Sequence, residues 1–513
     1  MTYSYIENIK DDDVDALLIN EVPLTFARNN LIMPLRKENG SLVALVADDK
    51  GLLALLDLAK RYGLRPHPLK TQSGIVIDAI NRFYGQVGTA QEVMEGIAGE
   101  DLSSVATEFE SPKDILELTE EAPIIRLLNA LFQQAVKEKA SDIHIEPYEK
   151  ELDVRMRIDG ILHRFLSPPK IIQDALISRV KIMANLDIAE KRLPQDGRIR
   201  LLIAGKDIDI RVSIVPTSFG ERAVLRLLDR KQGLIGLQEL GFNEDDKNHF
   251  EGLLSRSNGI VLVTGPTGSG KTTTLYAALN RIHTEEKNII TVEDPVEYQL
   301  RGIGQIQVNP KIGLTFASGL RSILRQDPDV IMVGEIRDFE TAEIAVQASL
   351  TGHLVLSTLH TNDAASAITR LIDMGVEPFL IASSLVAVLA QRLLRVICPY
   401  CKESYEPSEA EMAYFLNSPP VTEPALLYRG RGCDKCRGSG YLGRTGIFEL
   451  LSINSEVRRL ITGRSDSQLI KEHAVSGGMK TLYLDGLNKV LKGCTTLEEV
   501  LRVTQKDYAD IQV

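Results

Sequence analysis

Nine consecutive residues, Gly265-Pro266-Thr267-Gly268-Ser269-Gly270-Lys271-Thr272-Thr273, carry the spacing Gly-x-x-x-x-Gly-Lys-Thr, which suits a phosphate chain. Glycines let the backbone turn tightly, so that successive N–H groups and a following helix N-terminus converge on phosphate oxygens. In such a loop Lys271 reaches the β- and γ-phosphates and the Thr272 hydroxyl sits on Mg²⁺. An ordinary glycine-rich turn is the alternative, and context separates the two. Residues 260–263 form an apolar run that reads as a buried parallel strand, and residues 275–282 suit a helix. The strand–loop–helix order predicts a nucleoside triphosphate site with Mg²⁺ beside it.

Carboxylates follow at the ends of two further apolar runs. Residues 289–292 lead into Glu293-Asp294-Pro295-Val296-Glu297, and 330–333 lead into Gly334-Glu335. In open α/β sheets ligands lie beyond the carboxyl ends of the strands, so both acid clusters point toward the nucleotide. Such acids hold Mg²⁺ through water or orient the attacking water. Gly334 stands where a metal-holding aspartate is usual, which shifts the acid to Glu335 and lets Glu293 or Glu297 share that work. The plainer reading is a solvated or capping carboxylate. His353 and His360 bracket another strand pattern; a histidine there can sense the γ-phosphate, although lone histidines are more often structural. Arg321, Arg325 and Arg337 could stabilise phosphoryl charge, in the same chain or across a subunit boundary, or simply lie on helix surfaces.

Cys398, Cys401, Cys433 and Cys436 form two Cys-x-x-Cys pairs with 31 residues between them. Four thiolates close a tetrahedral site with no vacant position, so the expected role is structural zinc, Zn²⁺, in a reducing compartment. A redox role would need only one pair.

These residues must be positioned by several domains, for the chain has 513 residues. Composition is that of a globular protein, 44% hydrophobic and 25% charged. Net charge is −11 and no dense Lys/Arg block occurs, which argues against nucleic acid as a partner. The opening residues are polar and acidic, unlike a secretory signal, and the longest apolar segment, 379–390, is too short to span a bilayer. A cytoplasmic location is expected, with any membrane contact made through a partner. Residues 1–98 mix strand and helix patterns without a catalytic constellation and read as a docking domain; 42–46 suits a strand and 52–62 a helix. An acidic linker, 99–121, follows. An α+β domain, 122–231, opens on an amphipathic helix at 124–139. In its strands Val154, Met156 and Ile158, then Ile208, Ile210, Val212 and Ile214, alternate with polar residues that include Arg211. Its polar face could offer arginines to an anion or leave them solvated. The loop domain spans 232–390 and alternates strands with helices, as a parallel sheet requires. A cysteine module, 391–440, and a helical tail, 441–513, complete the chain.

Taken together, these motifs resemble the ATPases of bacterial type II secretion systems (the GspE family) and, more widely, type IV pilus assembly ATPases. The loop Gly265–Thr272 is similar to their Walker A motif, Glu293–Glu297 to their Asp box, Gly334-Glu335 to an atypical Walker B, and 351–362 to their His box. The resemblance runs from about residue 122 to the end and is looser over 1–98. It implies a multidomain α/β protein: a RecA-like P-loop ATPase domain preceded by a PAS-like α+β domain, with a zinc-binding insert, a helical C-terminal domain and a small N-terminal docking domain. It also implies that Arg211 and Arg226 reach the nucleotide from the preceding domain, and that a hinge near 229–235 moves as ATP is hydrolysed. The implied assembly is a homo-hexamer at the inner membrane that powers pseudopilus assembly and protein export. Residues 1–98 would dock on the cytoplasmic part of a GspL-like platform protein, beside a polytopic GspF-like one. A pilus-extension ATPase and a nucleotide-gated scaffold are the alternatives.

Overall fold

The computed structural model describes residues 30–38, 40–84, 123–203, 206–229, 235–416 and 426–509, with 4–5, 14–15, 18, 21–22 and 26–27 ahead of them. It divides into two compact units, Met1–Lys231 and Gln232–Val513. Of the expected features, the acidic linker and residues 230–234 of the expected hinge lie outside the described residues.

The first unit contains two sheets. β1 (Ser4–Tyr5), β2 (Ile32–Glu38), β3 (Ser41–Val46) and β4 (Arg65–Lys70) are ordered β1-β4-β3-β2. Between β3 and its parallel neighbour β4 runs α1 (Asp49–Tyr62), capped by the Asp48 side chain and ended by Gly63 at φ 65. Alternate residues of β3 face opposite ways. Leu42, Ala44 and Val46 pack with Leu55 and Leu58 of α1, while Val43 and Leu45 pack with Val76 and Ile80 of α2 (Ser73–Tyr84).

The second sheet holds β5 (Asp142–Pro147), β6 (Leu152–Ile158), β7 (Ile161–Leu166), β8 (Gln195–Ile203), β9 (Lys206–Thr217) and β10 (Gly220–Asp229) in the order β7-β6-β5-β10-β9-β8, antiparallel throughout. Val154, Met156, Ile208, Ile210, Val212 and Ile214 are buried in one cluster with α3 (Pro123–Lys137) and α4 (Gln173–Met183). The opposite face is polar. There Arg157, Asp142, Arg226, Arg211 and Arg198 stand in register across five adjacent strands.

In the second unit α5 (Glu244–Leu254) precedes a seven-stranded sheet. Its strands are β11 (Gly259–Thr264), β12 (Ile289–Glu293), β13 (Gly304–Gln307), β14 (Val330–Val333), β15 (Leu354–Leu359), β16 (Leu385–Ile397) and β19 (Tyr441–Ser452), ordered β13-β12-β14-β15-β11-β16-β19. All neighbours are parallel except β16 and β19. The connecting helices are α6 (Lys271–Ile282), α7 (Phe316–Ile323), α8 (Phe339–Leu350), α9 (Ala364–Asp373) and α10 (Pro378–Ser384). Strands β11, β14 and β15 are buried along their whole length, the signature of a sheet covered on both faces.

The apolar run 379–390, too short to span a bilayer, is shared by two elements: α10 occupies its first part, and β16 continues past residue 390 to Ile397. One sequence expectation is corrected here. The tail expected to be helical from 441 begins instead with twelve residues of strand β19. The reason is a two-residue period: Ile447 and Leu451 enter one core cluster while Phe448 enters the other, so both faces of the strand are covered. Only afterwards come the helices. Between β16 and β19 lie β17 (Lys402–Tyr405), α11 (Glu409–Leu416) and β18 (Leu427–Gly430); beyond β19 lie α12 (Ser455–Thr462), α13 (Ser467–Ser476), α14 (Leu482–Leu491) and α15 (Leu497–Ala509). Among the described residues no helix is long and apolar enough to cross a membrane.

Candidate active site

Four adjacent strands, β12-β14-β15-β11, end at one edge of the parallel sheet, and each delivers a part of the site. β11 runs into the glycine loop, β12 ends on Glu293, β14 leads to Gly334 and Glu335, and β15 leads to His360. The loop's shape depends on glycine. Gly265 has φ 148, and a Cβ there would fall 2.4 Å from the Gln391 carbonyl oxygen and 2.7 Å from Ser269 Oγ. Gly268 and Gly270 also have positive φ, 81 and 87. Pro266, Thr267, Gly268 and Thr272 are exposed; Thr273 is half-buried. Helix α6 then starts at Lys271 with no side-chain cap at Gly270. Its first N–H groups are the orphan donors that an anion satisfies, which is the fit a phosphate requires.

A cleft of about 130 Å³ opens beside the loop, lined by Lys271, Thr272, Glu293, Asp294, Glu297, Glu335 and His360 among others. Lys271 Nζ donates to the carbonyls of Gly265 at 2.8 Å and Pro266 at 3.1 Å. Burial pushes its ammonium down to about 8, against the pull of the Glu335 carboxylate. Glu335 pairs with Arg337 and lies 3.4 Å from His360 Nε2. Burial, with the Lys271 charge behind it, lowers the His360 pKa, while Glu335 opposes the shift. His360 is therefore neutral at neutral pH and can exchange hydrogen bonds in both directions.

Glu293 is 3% exposed and fully engaged. Its Oε1 accepts from Thr291 Oγ1 at 2.5 Å and Gln305 Nε2 at 3.1 Å, and its Oε2 accepts from Tyr276 OH at 2.5 Å. Burial raises its pKa despite these three donors. Glu297 lines the same cleft, and its backbone N–H donates to Tyr276 OH at 3.2 Å.

Not every expected residue arrives there. His353 precedes β15, at the end opposite His360, and its Nδ1 lies 2.8 Å from the Ala348 carbonyl and 3.2 Å from Thr351 Oγ1. A strand of that length separates the two histidines by on the order of 20 Å. The expectation for His353 is corrected for this chain's own cleft, because a parallel strand delivers only its C-terminal end to the ligand edge. Arg321 pairs with Glu340 at 2.5 Å on an exposed surface, and Arg325 donates to the Arg321 carbonyl. Arg211 and Arg226 belong to the first unit, as neighbours on β9 and β10. Arg226 Nε donates to Asp142 at 2.9 Å, and its side chain is 56% exposed. Tyr276, Thr291, Gln305 and Gln391 were not singled out in the sequence. Gln391 is 1% exposed, accepts from Thr274 Oγ1 at 2.6 Å and backs the loop at Gly265. Its only sequence signal was a polar residue interrupting an apolar run.

The four cysteines converge as their spacing predicted. Their sulfurs all lie within 4.8 Å of one another, with Cys398–Cys433 at 3.9 Å, Cys401–Cys436 at 3.7 Å and Cys433–Cys436 at 3.7 Å. Four thiolates about 2.3 Å from a tetrahedral centre stand about 3.8 Å apart, so the set fits a metal ion. Backbone N–H groups of Cys433 and Gly440 point at Cys436 Sγ, at 3.1 and 3.3 Å. Such donors stabilise a ligating thiolate.

An uncapped glycine loop, a buried lysine and strand-end acids on a parallel sheet define a phosphate-loop ATPase of the α/β class. Comparison with known proteins narrows this. A family model described as type II/IV secretion system protein matches residues 117–502, and one described as MshEN domain matches 3–90. Type II secretion system protein E of Pseudomonas aeruginosa is 53% identical over 89% of this chain and 91% of its own length. The type II secretion system ATPase E of Vibrio cholerae is 54% identical over 81% and 83%, and the type IV pilus assembly ATPase PilB of Myxococcus xanthus 44% over 98% and 89%. Among solved structures, the pilus retraction motor PilT with bound ADP aligns with 73% of this chain and 96% of its own, at 27% identity and TM-score 0.51. The Legionella pneumophila ATPase DotB shares the fold, with TM-score 0.55, 21% identity and coverage of 74% and 96%. The chain belongs to the type II/IV secretion system protein family.

Proposed function

We propose that this protein is the motor ATPase of a type II secretion system, a homo-hexamer that couples ATP hydrolysis to pseudopilus assembly and protein export at the inner membrane. The observation that carries the catalytic part is the convergence of the loop, Lys271, Glu335, Glu293 and Glu297 on one cleft. The loop from Gly265 to Thr273 holds the phosphates through its N–H groups, and Lys271 swings from the loop carbonyls to the β- and γ-phosphate oxygens. Glu335 orients and deprotonates the attacking water, and His360, 3.4 Å away, senses the γ-phosphate. Thr272 and the Glu293–Glu297 loop hold Mg²⁺, which when bound offsets the charge of the triphosphate. Arg211 and Arg226 serve the phosphates from the arginine-bearing domain. Cys398, Cys401, Cys433 and Cys436 hold structural zinc, which supplies a rigid cross-link to the small module.

A pilus-extension ATPase is the second reading, favoured by the PilB relative that covers 98% of this chain. Residues 1–98 decide between them, as the segment that docks on a platform protein. The test is capture of solubilised inner-membrane proteins by the full chain and by a chain lacking residues 1–98. Retention of a type II secretion platform protein by the full chain alone is expected. Retention of a pilus platform protein instead would move the assignment to the second reading.

A further inference from the structure

Helix α6 carries the phosphate loop at its N-terminus, and five residues further on it buries a tyrosine completely: Tyr276 is 0% exposed. The hydroxyl donates to Glu293 Oε2 at 2.5 Å and accepts from the backbone N–H groups of Glu297 at 3.2 Å and Tyr298 at 3.4 Å. Gln305 Nε2 also donates to the hydroxyl at 3.4 Å, so the phenol's hydrogen-bonding capacity is taken up inside the protein. The ring of Tyr298 meets that of Tyr276 edge to face, 5.6 Å between centroids and 87° between planes. From β13, Gln305 closes the other side: its Nε2 donates to Glu293 Oε1 and to the Tyr298 carbonyl at 2.9 Å, and its Oε1 accepts from Leu300 N–H at 2.7 Å.

We infer that Tyr276 is a positioning residue for ATP hydrolysis: its hydroxyl fixes the Glu293 carboxylate against the helix that holds the phosphates. This rests on the ATPase reading above. Phenylalanine would fill the same volume, so packing alone does not call for the oxygen. Burying a hydroxyl beside a carboxylate is unfavourable unless each satisfies the other, and here the pair ties helix α6, which brings Lys271 and Thr272 to the cleft, to the end of β12, which brings Glu293. The bond therefore sets how far the acid-bearing segment stands from Lys271 and Thr272. A displacement of about 1 Å between such groups costs on the order of a hundredfold in rate.

The test uses the full chain with Tyr276→Phe, Glu293→Gln and the double variant, reading phosphate release and ADP affinity. For Tyr276→Phe, kcat falls about ten- to a hundredfold, while KM for ATP and the Kd for ADP move by less than about twofold. Because the hydroxyl acts through the carboxylate, the double variant is no slower than Glu293→Gln alone. Should Tyr276→Phe fail to fold, Thr291→Val removes another donor to the same carboxylate and is expected to show the same split. Wild-type kcat in the folded variant overturns the inference, as do parallel losses of kcat and ADP affinity or losses that multiply in the double variant. A wild-type chain that releases no phosphate would instead defeat the ATPase reading on which the inference stands.

Discussion

Lys271 shows how a single residue's environment becomes a measurable property. With its ammonium held among loop carbonyls and pushed down to about 8 by burial, the lysine loses its charge as pH rises through that value. A bound phosphate stabilises the charged form, so affinity tracks the protonated fraction of the free protein. ADP binding is accordingly expected to be flat from pH 6.5 to about 7.5 and to weaken up to about tenfold per unit above pH 8. In Lys271→Arg, whose guanidinium stays charged, the residual affinity keeps no such slope. Calorimetric titration across pH 6.5–9.5 checks both; the same slope in both variants would remove Lys271 as its source. At this scale the sequence was most informative where chemistry is contiguous. The glycine loop and Lys271 are adjacent in the chain, so their spacing could be read directly. Glu293 was marked by its place at a strand end, but Tyr276 and Gln305 come from other elements and meet it only when the sheet is built, so no local pattern announced them.

Elements explain the metal module. β16 ends at Ile397, directly before Cys398, and β19 begins at Tyr441, shortly after Cys436. The cysteine pairs thus hang from the two antiparallel strands at one end of the ATPase sheet, and Cys398 N–H donates to the Gly440 carbonyl at 2.9 Å. Elemental analysis is expected to return about one zinc per chain. Stripping it with a chelator, or Cys436→Ser, lowers the melting temperature and first exposes residues 398–440 to protease, while ADP binding persists. Purified chain free of metal yet equally stable would contradict a structural zinc. The paired Cys-x-x-Cys motifs made this site legible in the sequence. The strand that frames it was not: β19 alternates over a short stretch preceding true helices, and its partner β16 is hidden in an apolar run that periodicity alone does not resolve. The antiparallel Arg-bearing sheet was readable because its apolar positions alternate cleanly, facing helices on one side and water on the other.

At the scale of the molecule, two compact units carry complementary chemistry: the second a phosphate loop with strand-end acids, the first a row of arginines on an open sheet face. The arginines are braced by buried acids. Asp142, 4% exposed, takes Arg226, and Asp209, 1% exposed, takes Arg198. A brace on Nε leaves the terminal nitrogens of Arg226 in the planar fork that suits a phosphate. The extent of the ATPase sheet, running on to Ser452, depended on long-range pairing that no local pattern in the sequence displays. Turnover of ATP at the loop, with Glu335 acting on water, is checked by phosphate release from purified wild type, Lys271→Ala and Glu335→Gln, with nucleotide binding measured on the same samples. Turnover by wild type is expected, with a fall of at least about a hundredfold in Glu335→Gln while binding is retained, and loss of both activities in Lys271→Ala. Equal rates in all three would contradict turnover at the loop, and would leave a nucleotide-gated scaffold in its place.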